Sequence, residues 1–152
     1  MIGRVLRLPP VLFLLTVTAA GVLHVRFPLT LGMPSFALGM TAGAIVMIVA
    51  VTIASLAFVE MRRHRTTIEP GQRPTSLVVG SVFAYTRNPL YVSLVLVVAA
   101  LALMIDSWWF VAGAAVLGLV LDRVVVRSEE RVLEEVFAGE YLAYKRRVRR
   151  WV

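Results

Sequence analysis

Four long apolar blocks, separated by short polar or basic segments, constrain this chain more than any other feature. They run from about Leu8 to Val25, Phe36 to Met61, Pro89 to Ile105 and Trp108 to Val126. A run of about 20 apolar residues, wound as a helix, reaches across the ~30 Å hydrocarbon core of a bilayer. The predicted fold is therefore an all-α integral membrane protein with four transmembrane helices. Hydrophobic residues make up 59% of the 152, above the ~45–50% of a soluble domain, and the excess is gathered in these blocks.

The polar remainder assigns the ends. Outside the spans stand Arg4, Arg7, five arginines between Arg62 and Arg87, and a basic tail, whereas the opposite side holds Arg26. The positive-inside rule then predicts four spans with both termini cytoplasmic, in an inner or plasma membrane of bacterial type. The net charge of +7 reads as a headgroup-facing charge and not as a nucleic-acid footprint, because every basic run flanks an apolar span. Arg4 and Arg7 before an apolar run resemble a signal peptide, and Ala19, Ala20 and Gly21 resemble a cleavage site. The run continues past them to Val25, which favours an uncleaved first span. With no cysteine and with His24 and His64 forty residues apart, thiol chemistry is excluded and no metal site is expected.

Residues 1–152 read as one membrane domain. Residues 1–61 hold the first two spans, joined by a Pro/Gly turn over Phe27–Ser35. Residues 62–88 are a cytoplasmic loop, with Leu77-Val78-Val79 touching the membrane or folding over something. Residues 89–126 form a helical hairpin whose break is Asp106-Ser107 and whose tip carries Trp108 and Trp109 as interfacial anchors. Residues 127–152 form an amphipathic tail helix, with Leu133, Phe137, Tyr141, Tyr144 and Val148 on one face and a break at Gly139. Gly39 and Gly43 give the small-xxx-small spacing that lets another helix approach closely, although glycine is also simply common in membrane helices.

Two polar knots flank the hairpin: Arg87-Asn88-Pro89-Leu90-Tyr91 and Ser128-Glu129-Glu130-Arg131. A tight antiparallel hairpin brings both to one membrane surface, where a guanidinium and two acids would share a pocket open to the cytosol, roomy enough for a nucleoside. Ionised groups at such depth are paired or face a cavity. The residues alone leave open an ordinary salt bridge between helix ends, with arginines contacting anionic lipid.

These knots, the apolar hairpin between them, and the tail residues Phe137, Glu140-Tyr141, Tyr144 and Trp151 resemble the C-terminal region of the isoprenylcysteine carboxyl methyltransferase and phospholipid methyltransferase superfamily. The likeness covers roughly Thr66 to Val152. It implies S-adenosylmethionine as cofactor and a lipid or lipid-borne methyl acceptor reached from the bilayer. By carry-over, Arg87 would hold an anion, Asn88 would hydrogen-bond, and Pro89 would fix the start of span three. Tyr91 would line the pocket, and Glu129 and Glu130 would bind the cofactor or orient Arg87. Tyr141 and Tyr144 would pack on adenine or simply in the core. The catalytic assignments fall on Arg87 and Glu129. Four positions depart from the family pattern: Ser81 and Ala138 where it has glycine, Phe83 where it has tyrosine, and Ser93 where glycine is common. The alternatives are a membrane reductase of related fold, for which the acidic residue after the signature is missing, and a non-catalytic membrane scaffold.

Overall fold

The computed structural model describes residues 9–64 and 75–152. Among these, all regular structure is helical. Helix α1 is Pro9–Arg26, α2 is Phe36–Arg63, α3 is Pro89–Ile105, α4 is Trp108–Val120 and α5 is Arg127–Arg147. A 3-10 turn, Ser81–Ala84, precedes α3. The expected limits of the first three spans hold to within two residues, whereas the fourth has no helix end at Val126. The loop residues 65–74, with Arg65 and Arg73, and the first eight residues, with Arg4 and Arg7, lie outside the described residues.

Helix α3 rises from the basic end and α4 returns to it. Pro89 opens α3 at its first helical position, where a missing N–H costs nothing. At the far end Asp106 adopts a left-handed conformation (φ 57°), and the Ser107 N–H closes the turn on the Ala102 carbonyl at 2.9 Å. The α1–α2 loop is laced to this tip. Met33 N–H donates to the Asp106 carboxylate at 3.2 Å, Trp108 N–H to the Leu29 carbonyl at 3.0 Å, and the Trp109 indole to the Phe27 carbonyl at 2.6 Å. Of the two expected anchors, Trp108 is half-exposed, whereas Trp109 has become a clasp.

Lipid tails give helices no hydrophobic reason to associate, so close backbone packing must hold them. Helix α2 supplies it with Gly39, Gly43, Ala50 and Ala57, its four buried residues. A methyl group added at Gly43 would sit 2.8 Å from the Ala100 carbonyl oxygen, and one at Gly39 would sit 2.8 Å from that of Leu103. The glycine pair thus seats α2 on α3. The last three residues of this stripe recur every seven positions, the interval at which a nearly parallel partner stays in register. On the other face of α3, Val98 and Ala102 pack with Ala20 of α1 and with Phe110, Ala114 and Leu117 of α4. Thr16, Thr41 and Thr52 return their hydroxyls to carbonyls one turn back, which satisfies them without water.

The tail is continuous with span four. No glycine or proline interrupts Leu119 to Ala138, so α4 passes through a π-helical segment, Leu121–Val126, directly into α5. Forty helical residues, Trp108 to Arg147, rise about 60 Å, twice a ~30 Å core. The half beyond Val126 therefore stands outside it. The amphipathic face turns Tyr141 and Tyr144 into the protein. The bend falls at Ala138 (φ 40°, ψ −112°), one residue before the expected Gly139. Helix α5 ends at Arg147, and Val148 to Val152 fold back as an extended strap.

Ser81 (φ 52°) and Ala138 (φ 40°) are non-glycine residues at positive φ. The backbone at both holds a conformation that their side chains disfavour. Ala138→Gly is expected to stabilise the protein by about 1 kcal/mol, read as a raised melting temperature in detergent. Gly43→Ala should lower it, because the added methyl group meets the backbone of α3.

Candidate functional site

Glu130 is the centre of the basic end. Its Oε1 lies 3.0 Å from Arg87 Nη1, and both side chains are under 10% exposed. Arg150 of the strap clamps the same carboxylate, with Nε donating to Oε1 at 3.0 Å and Nη2 to Oε2 at 2.7 Å. This two-point fork is the strong form of a carboxylate–guanidinium contact. The bond to Glu130 raises the Arg150 pKa. One acid buried between two guanidiniums joins the two knots: Arg87 holds Glu130 directly, so these two groups meet as an ion pair and do not face each other across a pocket.

Glu129 points elsewhere, because adjacent helical residues diverge by about 100°. It accepts from the Tyr91 hydroxyl at 2.7 Å, its one side-chain partner among the described residues. Burial pushes the Glu129 carboxyl up, and the Tyr91 bond pulls it part of the way back. Tyr141 shares Arg87 Nη1 at 3.4 Å. Burial pushes its hydroxyl up to about 12, with the Glu130 charge adding to the rise. Tyr144 donates to the Phe83 carbonyl at 2.6 Å, tying α5 to the 3-10 turn, and burial raises it as well.

The strap completes the site from behind. Arg87 N–H donates to the Arg149 carbonyl at 3.1 Å. The Asn88 side chain at 2.9 Å and the Thr86 hydroxyl at 3.3 Å both donate to the Arg150 carbonyl. Asn88 thus holds the strap, and Pro89 is fully buried at the start of α3. Arg150 Nη1 and the Trp151 indole also reach Asp122 Oδ1, at 3.3 and 3.1 Å. All eight residues singled out in the sequence lie at this end. Arg87, Glu130 and Tyr141 meet directly, Asn88 joins them through Arg150, Tyr91 and Glu129 form a separate pair, and Tyr144 bonds only the 3-10 turn.

Sequence reasoning missed Asp122 and Arg150. Asp122 carried a signal, a lone acid inside an apolar block. Arg150 carried none, being one of five basic residues in a row of six. Arg87 Nε is buried with no partner among the described residues. A buried guanidinium N–H without an acceptor is costly, so this donor calls for one.

Two outcomes follow from the wiring. Glu130→Gln strands a buried Arg87, at about 3–5 kcal/mol, whereas Arg87→Met leaves Glu130 with Arg150 and should cost less. Chemical denaturation of both variants measures the order. A carboxyl raised by burial contributes stability below its unfolded value of ~4.3 and loses it as pH rises through the folded value. Glu129→Gln, which keeps an acceptor for Tyr91, should therefore gain in melting temperature over wild type as pH rises from 4 to 8.

Residues 38–140 match the family described as phospholipid methyltransferase. An "Uncharacterized protein" of Haemophilus influenzae is 35% identical over 63 residues, which cover 41% of this chain and 100% of that protein. No solved structure matches significantly. The family match takes in nearly all of α2, then α3, α4 and most of α5 with both polar knots; it starts well before the expected Thr66 and ends before the strap. The chain belongs to the phospholipid methyltransferase family.

Proposed function

We propose that the protein is an S-adenosylmethionine-dependent methyltransferase, acting at the cytoplasmic face on a small lipid or lipid-borne acceptor. Family membership supplies the reaction class. The observation that carries the site is the buried Nε of Arg87, without a partner among the described residues, beside the Glu130 carboxylate.

The cofactor's chemical demands match this donor set. It has a carboxylate, an ammonium, ribose hydroxyls and an adenine, and it supplies a methyl group on a sulfonium cation. Arg87 Nε offers a donor for the carboxylate. Glu130 is already held by two guanidiniums, which leaves Glu129 as the acid for the ammonium or a ribose hydroxyl. Tyr91 would orient Glu129 through their hydrogen bond, and Tyr141 would steady Arg87. Tyr144 would hold α5 over the loop. The dry surroundings of these groups favour cancelling a positive charge, as methyl transfer to an anionic acceptor requires. Holding the acceptor in line with the methyl group is then the chief remaining task.

A second reading has a specific observation behind it. The Arg87–Glu130–Arg150 cluster satisfies its own charges, as a purely structural clamp would. Calorimetry on protein in nanodiscs separates the two. The methyltransferase reading expects S-adenosylmethionine binding by the wild type, lost in Arg87→Met while its circular dichroism is retained. It also expects transfer of labelled methyl to an extracted lipid fraction. A wild type that binds no S-adenosylmethionine leaves only the clamp.

A further inference from the structure

An apolar trough of about 380 Å³ lies between α3 and α4, lined by Val95, Ala114, Ala115 and Gly118, with Asp122 and Trp151 at its basic end. Small side chains on consecutive turns of α4 open it. From Asp122 back to Ala114 it follows about 12 Å of helix, comparable with one leaflet of a ~30 Å core.

Its mouth is not neutral. Asp122 Oδ1 is taken by Arg150 and Trp151. Arg123 and Arg127 approach Oδ2 only at 3.7 and 3.5 Å, and their side chains are 61% and 53% exposed. One carboxylate facing three guanidiniums leaves positive charge at headgroup level. The π-helical segment carries Asp122 and Arg123, and such segments often accompany binding sites.

We propose that this trough is a docking site for an anionic glycerophospholipid, one acyl chain lying along Val95 and Gly118 and the phosphate between Arg123 and Arg127. The chain fits because the lining is apolar. The headgroup is chosen by charge: a phosphate without an attached ammonium complements two exposed guanidiniums, whereas a zwitterionic headgroup brings a like charge beside them. The site does not depend on the methyl-transfer reading. Its lining includes none of Arg87, Tyr91, Glu129 or Glu130, and Arg150 stands between Asp122 and Glu130.

Trp151 reports on the trough directly. Protein is reconstituted into phosphatidylcholine vesicles containing either phosphatidylglycerol or phosphatidylcholine with brominated chains. The quenching due to Trp151 is the difference between wild type and Trp151→Phe. It should half-saturate at roughly tenfold lower mole fraction of the brominated phosphatidylglycerol, and the preference should vanish in the Arg123→Gln/Arg127→Gln double variant. Native mass spectrometry of wild type and double variant, counting retained phosphatidylglycerol, gives the same comparison without altering Trp151. Equal quenching by the two headgroups, or none by either, overturns the proposal. So does relief of quenching by millimolar inorganic phosphate, which would assign the arginines to a soluble anion.

Discussion

A single carboxylate, Glu130, is held between two guanidiniums that arrive from opposite ends of the folded unit. Arg87 precedes α3; Arg150 follows α5. Taking such an acid out of water costs several kcal/mol, and only well-aimed partners offset that cost. The requirement fixes more than one contact. It sets where α3 starts, how far α5 runs, and where the chain turns back as a strap whose carbonyls are taken up by Thr86, Arg87 and Asn88.

The far end of the molecule is organised differently. There the α1–α2 loop is tied to the hairpin tip through Asp106, Trp108 and Trp109. Between the two ends, glycine and alanine on α2 let backbones touch backbones. This division suits a membrane protein. The lipid-buried middle relies on shape, and charge is confined to the surface where water and headgroups can share it.

The spans were legible because apolar length is a direct physical demand of the bilayer, although the helix of the fourth runs on to Arg147 with no end at Val126. The pairing of Arg87 with the acidic knot was legible for a related reason: a short hairpin has only one way to return. The division of labour between Glu129 and Glu130 was not, since neighbours in sequence diverge on a helix and only the fold says which one meets Arg87. Arg150 was hidden among identical charges, because its role depends on where α5 stops. The departures at Ser81 and Ala138 looked like losses from the family pattern. The backbone at both stands at positive φ, the region glycine adopts most easily.

Hydrogen exchange read by mass spectrometry, on the protein in nanodiscs with and without S-adenosylmethionine, tests most directly whether the clamp and the cofactor share one place. Slowed exchange in Thr86–Val92 and Val148–Val152 together is the expected result. Bound cofactor with no change in either segment would contradict it.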